Sequence, residues 1–490
     1  MRDLDIIDSE LRLLAAVRRT AADLAGRSRP LGWWTNCLTN AWSEIRAIAG
    51  IAGTIKWATV SKSRVLAWAL WDCGSAGLNA IVVIFVFNVY LTTKVAVGGP
   101  GGTSPASWLG RAMAIAGVTV ALLAPAIGEW VGSPERRRNA LTAFTMAAVA
   151  LTAAMSLIRQ DPRYLWAGLV LLAATSACGD LASVPYNTML RQLSTPENVG
   201  RVSGFGWAAA YFGSTTLLLV VYVGFISGSG PTRGALGIPA ADGQNVRAAM
   251  LLVAAWFLLL ALPLLVTAPT RSAAPADAHP PVGVLGAYRK LWSDLKGEWR
   301  RDRNVVYYLL ASAVFRDGIS GVFAFGAVLG ARVYGISQAD VLLFGVAASV
   351  VAAVGAVAGG LLDDHVGSKP VIAASLSAMI TIGLALLALS GALAFWVCGL
   401  MLALFVGPTQ SSARTLLLRM TADGKEGVAF GLYTMTGRAA LFLAPTMFST
   451  FIDWFHADRA GMGGLLVVLA AGLLSLLPVR APAGRAATGR

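Results

Sequence analysis

Residues 312–331 read SAVFRDGISGVFAFGAVLGA, a greasy run in which Arg316 and Asp317 stand side by side. A helix of this length rises about 30 Å, the thickness of a bilayer's hydrocarbon core. Facing acyl chains, each charge would cost roughly 2.5–3.5 kcal/mol on insertion scales. Such residues are tolerated where they look into a wet passage or at a charge of opposite sign. Adjacent helical residues point about 100° apart, so Arg316 and Asp317 are not expected to pair with each other. The stretch therefore calls for a membrane protein with a polar interior.

The rest of the chain agrees. It is 490 residues long, 56% hydrophobic and 13% charged, where soluble domains carry about 25% charged residues. Mean hydropathy is +0.67. Its long runs are apolar all round rather than striped, which excludes a large soluble helical protein. The formal net charge of +14 does not mark a nucleic-acid binder, because the positive residues gather in tails and short loops beside the apolar runs. Cys37, Cys73, Cys178 and Cys398 are widely spaced, with no metal or disulfide pattern. The first apolar run is interrupted by Asp, Glu and Arg and is no signal peptide.

Twelve spans are expected, at 65–93, 107–130, 139–158, 163–190, 202–226 and 247–268, then 303–333, 339–362, 369–391, 393–417, 427–452 and 461–479. The chain divides into an N-terminal extension (1–64), a six-helix bundle (65–268), a hinge loop (269–302), a second six-helix bundle (303–479) and a tail (480–490). Ten Lys or Arg precede Val65, seven more fall between Arg271 and Arg303, and Arg136–Arg138 follow span 2. Both termini are thus expected in the cytoplasm, with the protein in the bacterial plasma membrane. Leu4, Ile7, Leu11 and Leu14 in the extension, and Tyr288, Leu291, Trp292, Leu295 and Trp299 in the hinge, recur at helical spacing beside basic residues. Such faces suit an anionic lipid surface.

The two halves repeat one another. PYNTMLR (Pro185–Arg191) closes span 4 and PTQSSAR (Pro408–Arg414) closes span 10; DCGSAG begins at Asp72 in span 1 and DGISG at Asp317 in span 7. Both matches fall at the same ordinal span of each half. A repeat of six spans keeps its orientation in the membrane, the parallel arrangement in which two bundles rock about a midplane site.

These segments also resemble a known family. WALWDCGSAGLNAIVVIFVFNVYLT (Trp68–Thr92), SVPYNTML followed by GRVSGFGWAAAYFGS, RDGISGVFAFGAVLGA, and GPTQSSARTLL with GVAFGLYTMTGRAALFLAP are similar to the vacuole-effluxer-like branch of the major facilitator superfamily. The branch favours Tyr-Asp-Trp-Ala-Asn in span 1, where this chain has Trp71, Asp72, Cys73, Gly74 and Ser75. It usually carries Asn before the span-7 Asp, where this chain has Arg316. The superfamily's loop motif survives in the second half as Gly360, Leu362, Asp364, Gly367 and Lys369, whereas Gly132 replaces its Asp in the first half. The resemblance implies an all-α polytopic membrane protein of major-facilitator fold, twelve transmembrane helices in two parallel six-helix bundles. It implies solute transport, with amino acids as the substrate class.

Candidate site residues follow from charge and position. Asp72, Arg316 and Asp317 are expected to line a central cavity, with Asp72 as the partner of Arg316, and to recognise a solute carrying ammonium and carboxylate groups. Asp72 and Asp317 are the candidates for coupling a proton. Asp180, Asn79, Asn187, Gln410, Tyr433 and Arg438 are further candidates, each also readable as polar contacts between helices. Arg191 and Arg414 are expected to form a cytoplasmic gate with acids of the loops after spans 2 and 8, Asp364 being the partner of Arg414. The expected function is secondary transport, by efflux, of a small polar solute, by a monomer in contact with membrane lipids and without a cofactor. A lipid or amphiphile exporter of the same fold is the alternative. A membrane-embedded enzyme is disfavoured because His279, His365 and His456 fall in loops or at their edges and no nucleophile–base spacing appears; an ATP-driven pump is disfavoured because no ATP-binding loop occurs.

Overall fold

The computed structural model describes residues 62–96, 104–228, 230–267 and 303–481. The amphipathic segments of the extension and the hinge lie outside these residues.

Among the described residues eleven helices are long and apolar enough to cross a membrane, and a twelfth, Ala460–Leu476, is apolar but shorter. We number them α1 (Lys62–Val95), α2 (Pro105–Trp130), α3 (Pro134–Leu157), α4 (Pro162–Thr188), α5 (Val199–Ile226), α6 (Ala241–Thr267), α7 (Arg303–Val333), α8 (Gln338–Val366), α9 (Ser368–Ala388), α10 (Ala392–Met420), α11 (Glu426–Phe455) and α12 (Ala460–Leu476). Local chemistry marks their ends. Ser104 and Ser133 each accept a bond from the N–H three residues on, with proline in the first helical turn. Gly367, at φ 92°, takes the backbone turn between α8 and α9 that side-chain-bearing residues avoid. Two differences from the expected spans matter. Helix α3 starts early enough that Arg136–Arg138 lie in its first turns rather than in a loop. Helix α8 runs on through Asp363 and Asp364, so these acids too are helical.

Helices α1–α6 form one bundle and α7–α12 the other. Within each, glycines let backbones touch: a Cβ on Gly213 (α5) would lie 2.2 Å from the Cys73 carbonyl oxygen (α1), and one on Gly355 (α8) 2.0 Å from that of Leu404 (α10). Trp68 and Trp71 of α1 both stack on Tyr186 of α4, at 4.7 and 4.4 Å between ring centroids. They fix the α1 face that carries Asp72.

The bundles meet at two crossings. At α2–α11, a Cβ on Gly128 would sit 2.3 Å from the Gly427 carbonyl oxygen; at α5–α8, one on Gly204 would sit 2.3 Å from that of Ala356. Both crossings lie toward the side of the molecule where Lys62, Thr267 and Arg303 lie, here called the hinge side. Eleven residues return a helix to within about 20° of the same face, some 16 Å along its axis. Gly117 lies eleven residues from Gly128, and Gly345 eleven from Ala356, yet among the described residues a Cβ on either would meet nothing within 4 Å. Among the described residues the halves are therefore packed backbone to backbone at the hinge side and not in contact at these two far-side positions.

Asp317 does not face the space between the halves, a correction to the expectation that it lines a central cavity. Helix α11 breaks after Ala440 and restarts at Leu443. The Asp317 carboxylate, 3% exposed, accepts a bond from the Ala444 N–H at 2.5 Å, in the first turn of the restarted segment. A carboxylate there satisfies a free amide and complements the helix dipole. Arg316, about 100° around α7, points elsewhere. Asp317→Ala should lower stability in detergent by about 1–2 kcal/mol, with Asp317→Asn intermediate because it keeps an acceptor. Full stability in both variants, with transport lost, would return Asp317 to the passage.

Candidate functional site

Arg414 lies in α10 on the Ser/Thr-rich turn that follows Pro408, and it crosses into the other bundle. Its Nε donates to Ser203 Oγ at 3.1 Å, one terminal nitrogen to the Ser203 carbonyl at 2.9 Å, and the other to Asn187 Oδ1 at 3.1 Å. That second nitrogen also lies 3.8 Å from Asp72 Oδ2. The guanidinium carbon stands 4.7 Å from the centre of the Trp68 ring. At 5% exposure the side chain is desolvated, and each donor it turns to the other half has an acceptor. Two expectations are corrected here. Arg414 pairs with Asp72 and not with Asp364, and Asp72 is consequently not the partner of Arg316.

Arg316 lies instead on Tyr433 of its own half, its guanidinium carbon 3.7 Å from the ring centre, and donates to the Tyr433 carbonyl at 3.2 Å. Gly437 leaves room for it, since a Cβ there would lie 3.0 Å from an Arg316 nitrogen. Asp180 of α4 and Arg438 of α11 form a hydrogen-bonded ion pair between the halves. The sequence offered each as a site candidate without joining them, because 258 residues separate them. Asn79, seven residues beyond Asp72 on the same face of α1, is exposed, and Gln410 is half-buried one turn before Arg414. Among the described residues, Asp72, Asp180, Arg316, Arg414 and Arg438 are thus the charged groups of the central region.

Nearer the hinge side lies a second layer. Asp364 of α8 accepts bonds from the backbone N–H groups of Gly200 and Arg201, at 2.7 and 3.2 Å, and from Arg201 Nε at 2.7 Å. One carboxylate therefore caps the start of α5 from the opposite half and pairs with a side chain of the same turn. Arg419 binds Asp363 and stands 3.6 Å from Asp364. The first-half counterpart of Asp364 is Gly132, and a different bond serves there, a correction to the expectation that Arg191 meets an acid of the loop after span 2 or 8: Arg191 reaches Glu426 at 2.6 Å and Asp423 at 2.8 Å, at and just before the start of α11, and donates to the Leu418 and Thr421 carbonyls. Arg201, Arg419, Asp363, Glu426 and Ser203 were not singled out in the sequence. The signal for Arg201 was its place just ahead of the expected span 202–226, where a capping acid from elsewhere would find it.

Twelve helices in two such bundles are the fold of the major facilitator superfamily, and solved members superpose on this chain. A proton:xylose symporter, XylE, bound to 6-bromo-6-deoxy-D-glucose aligns with a TM-score of 0.63 and 15% identity, over 85% of this chain and 94% of its own. A bacterial homologue of the iron transporter ferroportin, in an outward-facing state, gives 0.61 and 15% over 85% and 97%. FucP in the outward conformation gives 0.60 and 15% over 86% and 100%. In sequence, the uncharacterized MFS-type transporter YxiO of Bacillus subtilis (strain 168) is 22% identical over 410 residues, 84% of this chain and 93% of its own. Residues 191–489 match the family described as vacuole effluxer Atg22 like, and the chain belongs to that family. It is a multi-pass transporter of the major facilitator superfamily, and its relatives are transporters rather than enzymes.

The double role of Asp364 gives a sharp expectation. Asp364→Arg should open the hinge side, seen as faster maleimide labelling of a cysteine placed at Ala356. Adding Arg201→Asp recreates an ion pair but leaves the α5 amides uncapped, so labelling should fall only part of the way back. Complete rescue would show that the pair alone holds the seal.

Proposed function

We propose that this chain is a secondary active transporter that moves a small polar solute, an amino acid or similar, across the bacterial plasma membrane by alternating access. The hinge side is cytoplasmic in this reading, supported by the ten Lys or Arg before Val65 and the seven in the central loop. Export is the direction that the family's description suggests.

One observation carries the reading: the Asp72–Arg414 and Asp180–Arg438 pairs join the halves at mid-depth, between a sealed side and a parted side. Buried pairs of this kind come close to balancing desolvation against attraction. Exchanging their partners for water when the halves separate therefore costs little net free energy, which is what a reversible two-state element requires. The solute enters from the open side and meets charges whose pairing changes with conformation. Asp72, which faces the passage, carries the proton in this reading; Asp317 is occupied as a helix cap.

Gly128→Leu would place a side chain inside the α2–α11 crossing and should favour the opposite state. Labelling of a cysteine at Ala356, on the hinge side of the other crossing, should then rise severalfold while labelling at Gly345→Cys, on the far side, falls. Both sites changing in the same direction would refute alternating access. In proteoliposomes, the unaltered protein should support counterflow of a labelled amino acid or of its near-isosteric hydroxy acid; movement of labelled lipid alone would favour an amphiphile exporter.

A further inference from the structure

We propose that the central site selects a solute of net negative charge, holding its carboxylate on Arg316, in preference to a zwitterion. The proposal rests on the transporter reading above and narrows its substrate class.

The central region carries three arginines against two aspartates, an excess of one positive charge. Both acids are committed across the interface, Asp72 to Arg414 and Asp180 to Arg438. Asp317, next to Arg316 in sequence, is turned away and caps α11. Among the described residues no carboxylate lies within salt-bridge distance of Arg316. Its contacts are the Tyr433 ring and the Tyr433 carbonyl oxygen. A guanidinium has five N–H donors, and one hydrogen bond to a carbonyl leaves the fork that grips a carboxylate with two parallel bonds unused. Stacking on Tyr433 holds the guanidinium plane in place, so little side-chain entropy is lost on binding.

Access and charge balance point the same way. Arg316 is half-buried, and Ser320, one turn farther toward the far side on the same face of α7, is exposed. Asp180 offsets the Arg316 charge only from beyond salt-bridge distance while it is bound to Arg438, and a bound monoanion would neutralise the charge that remains. A zwitterion brings an ammonium group that needs an acid of its own. Both central acids already serve arginines, so freeing one would leave a buried arginine without its partner. A hydroxyl in the same position needs only a neutral partner.

The test uses the full-length protein purified in detergent and near-isosteric solutes that differ in charge: L-lactate, L-alanine and L-alaninamide, then 3-phenyllactate, phenylalanine and phenylalaninamide. Saturable thermal stabilisation should follow the order hydroxy acid, amino acid, amide. Arg316→Gln should weaken hydroxy-acid binding roughly 10- to 100-fold, and Arg316→Lys should weaken it less. Amino acids binding as well as or better than their hydroxy analogues would overturn the proposal, as would no stabilisation by either hydroxy acid, or unchanged binding in Arg316→Gln. Should that variant not fold, the charge series on the unaltered protein decides. Failure here leaves the transporter reading standing, because that rests on opposed labelling at the two sides and on solute counterflow.

Discussion

An arginine in the middle of a membrane must be given its acceptors by the protein, because no water is guaranteed there. Arg414 meets this requirement in an uncommon way. It is built into one bundle, while Ser203, Asn187 and Asp72, which satisfy it, belong to the other. The desolvated state of this one side chain is therefore tolerable only while the bundles are together at this depth. Pulling them apart is tolerable only if water enters at the same moment. Sealing and wetting are thus tied to one another by the electrostatics of a single guanidinium, and the surrounding aromatic packing of Trp68 and Tyr186 sets the depth at which this occurs.

The two crossings show how a duplicated chain becomes asymmetric without losing its working symmetry. Glycine packing brings α2 against α11 and α5 against α8 equally closely. The polar clasps beside them differ. At α5–α8 a helical carboxylate, Asp364, caps the opposing helix. At α2–α11, where Gly132 stands in the corresponding loop, the clasp is Arg191, just beyond the end of α4, on the first residue of α11, Glu426. Arg191 and Arg414 occupy the same repeat position, six residues after a proline. The first binds acids near the surface and the second is buried at mid-depth among aromatic rings. The repeat conserves the reach of the side chain across the interface and leaves the partner to be chosen locally.

Most of the fold was legible in the sequence, because apolar length, cap residues and positive charge beside the spans are local signals. The central residues were legible as a set for a related reason: an ion within an apolar run is conspicuous. Partner choice was not legible. Arg316 and Asp317 show why. Their shared position suggested a shared role, yet a 100° step on α7 sends one to the centre and the other to a helix terminus created by a break in α11. That break occurs at Leu441–Phe442, just ahead of Pro445, which has no N–H for the Leu441 carbonyl and whose ring crowds it; the proline signals a kink, but not which acid will cap the restarted helix. Asp180–Arg438 likewise depends on the relative rotation of α4 and α11, which packing settles and one-dimensional spacing does not record.

The state observed also bears on what a solute can do in this site. With the hinge side sealed, Arg414 and Arg438 have their acids, and Arg316 has an aromatic face in place of one. Opening the hinge side would separate α10 and α11 from α1, α4 and α5, and thereby part both ion pairs while leaving Arg316 on Tyr433, since that contact lies within one bundle. The pairs between halves respond to conformation and the Arg316–Tyr433 unit does not. A solute bound at Arg316 could thus stay in place through the transition while the charges around it exchange partners. Its retention would follow from one rigid contact, and its influence on the equilibrium from its effect on the two pairs that break.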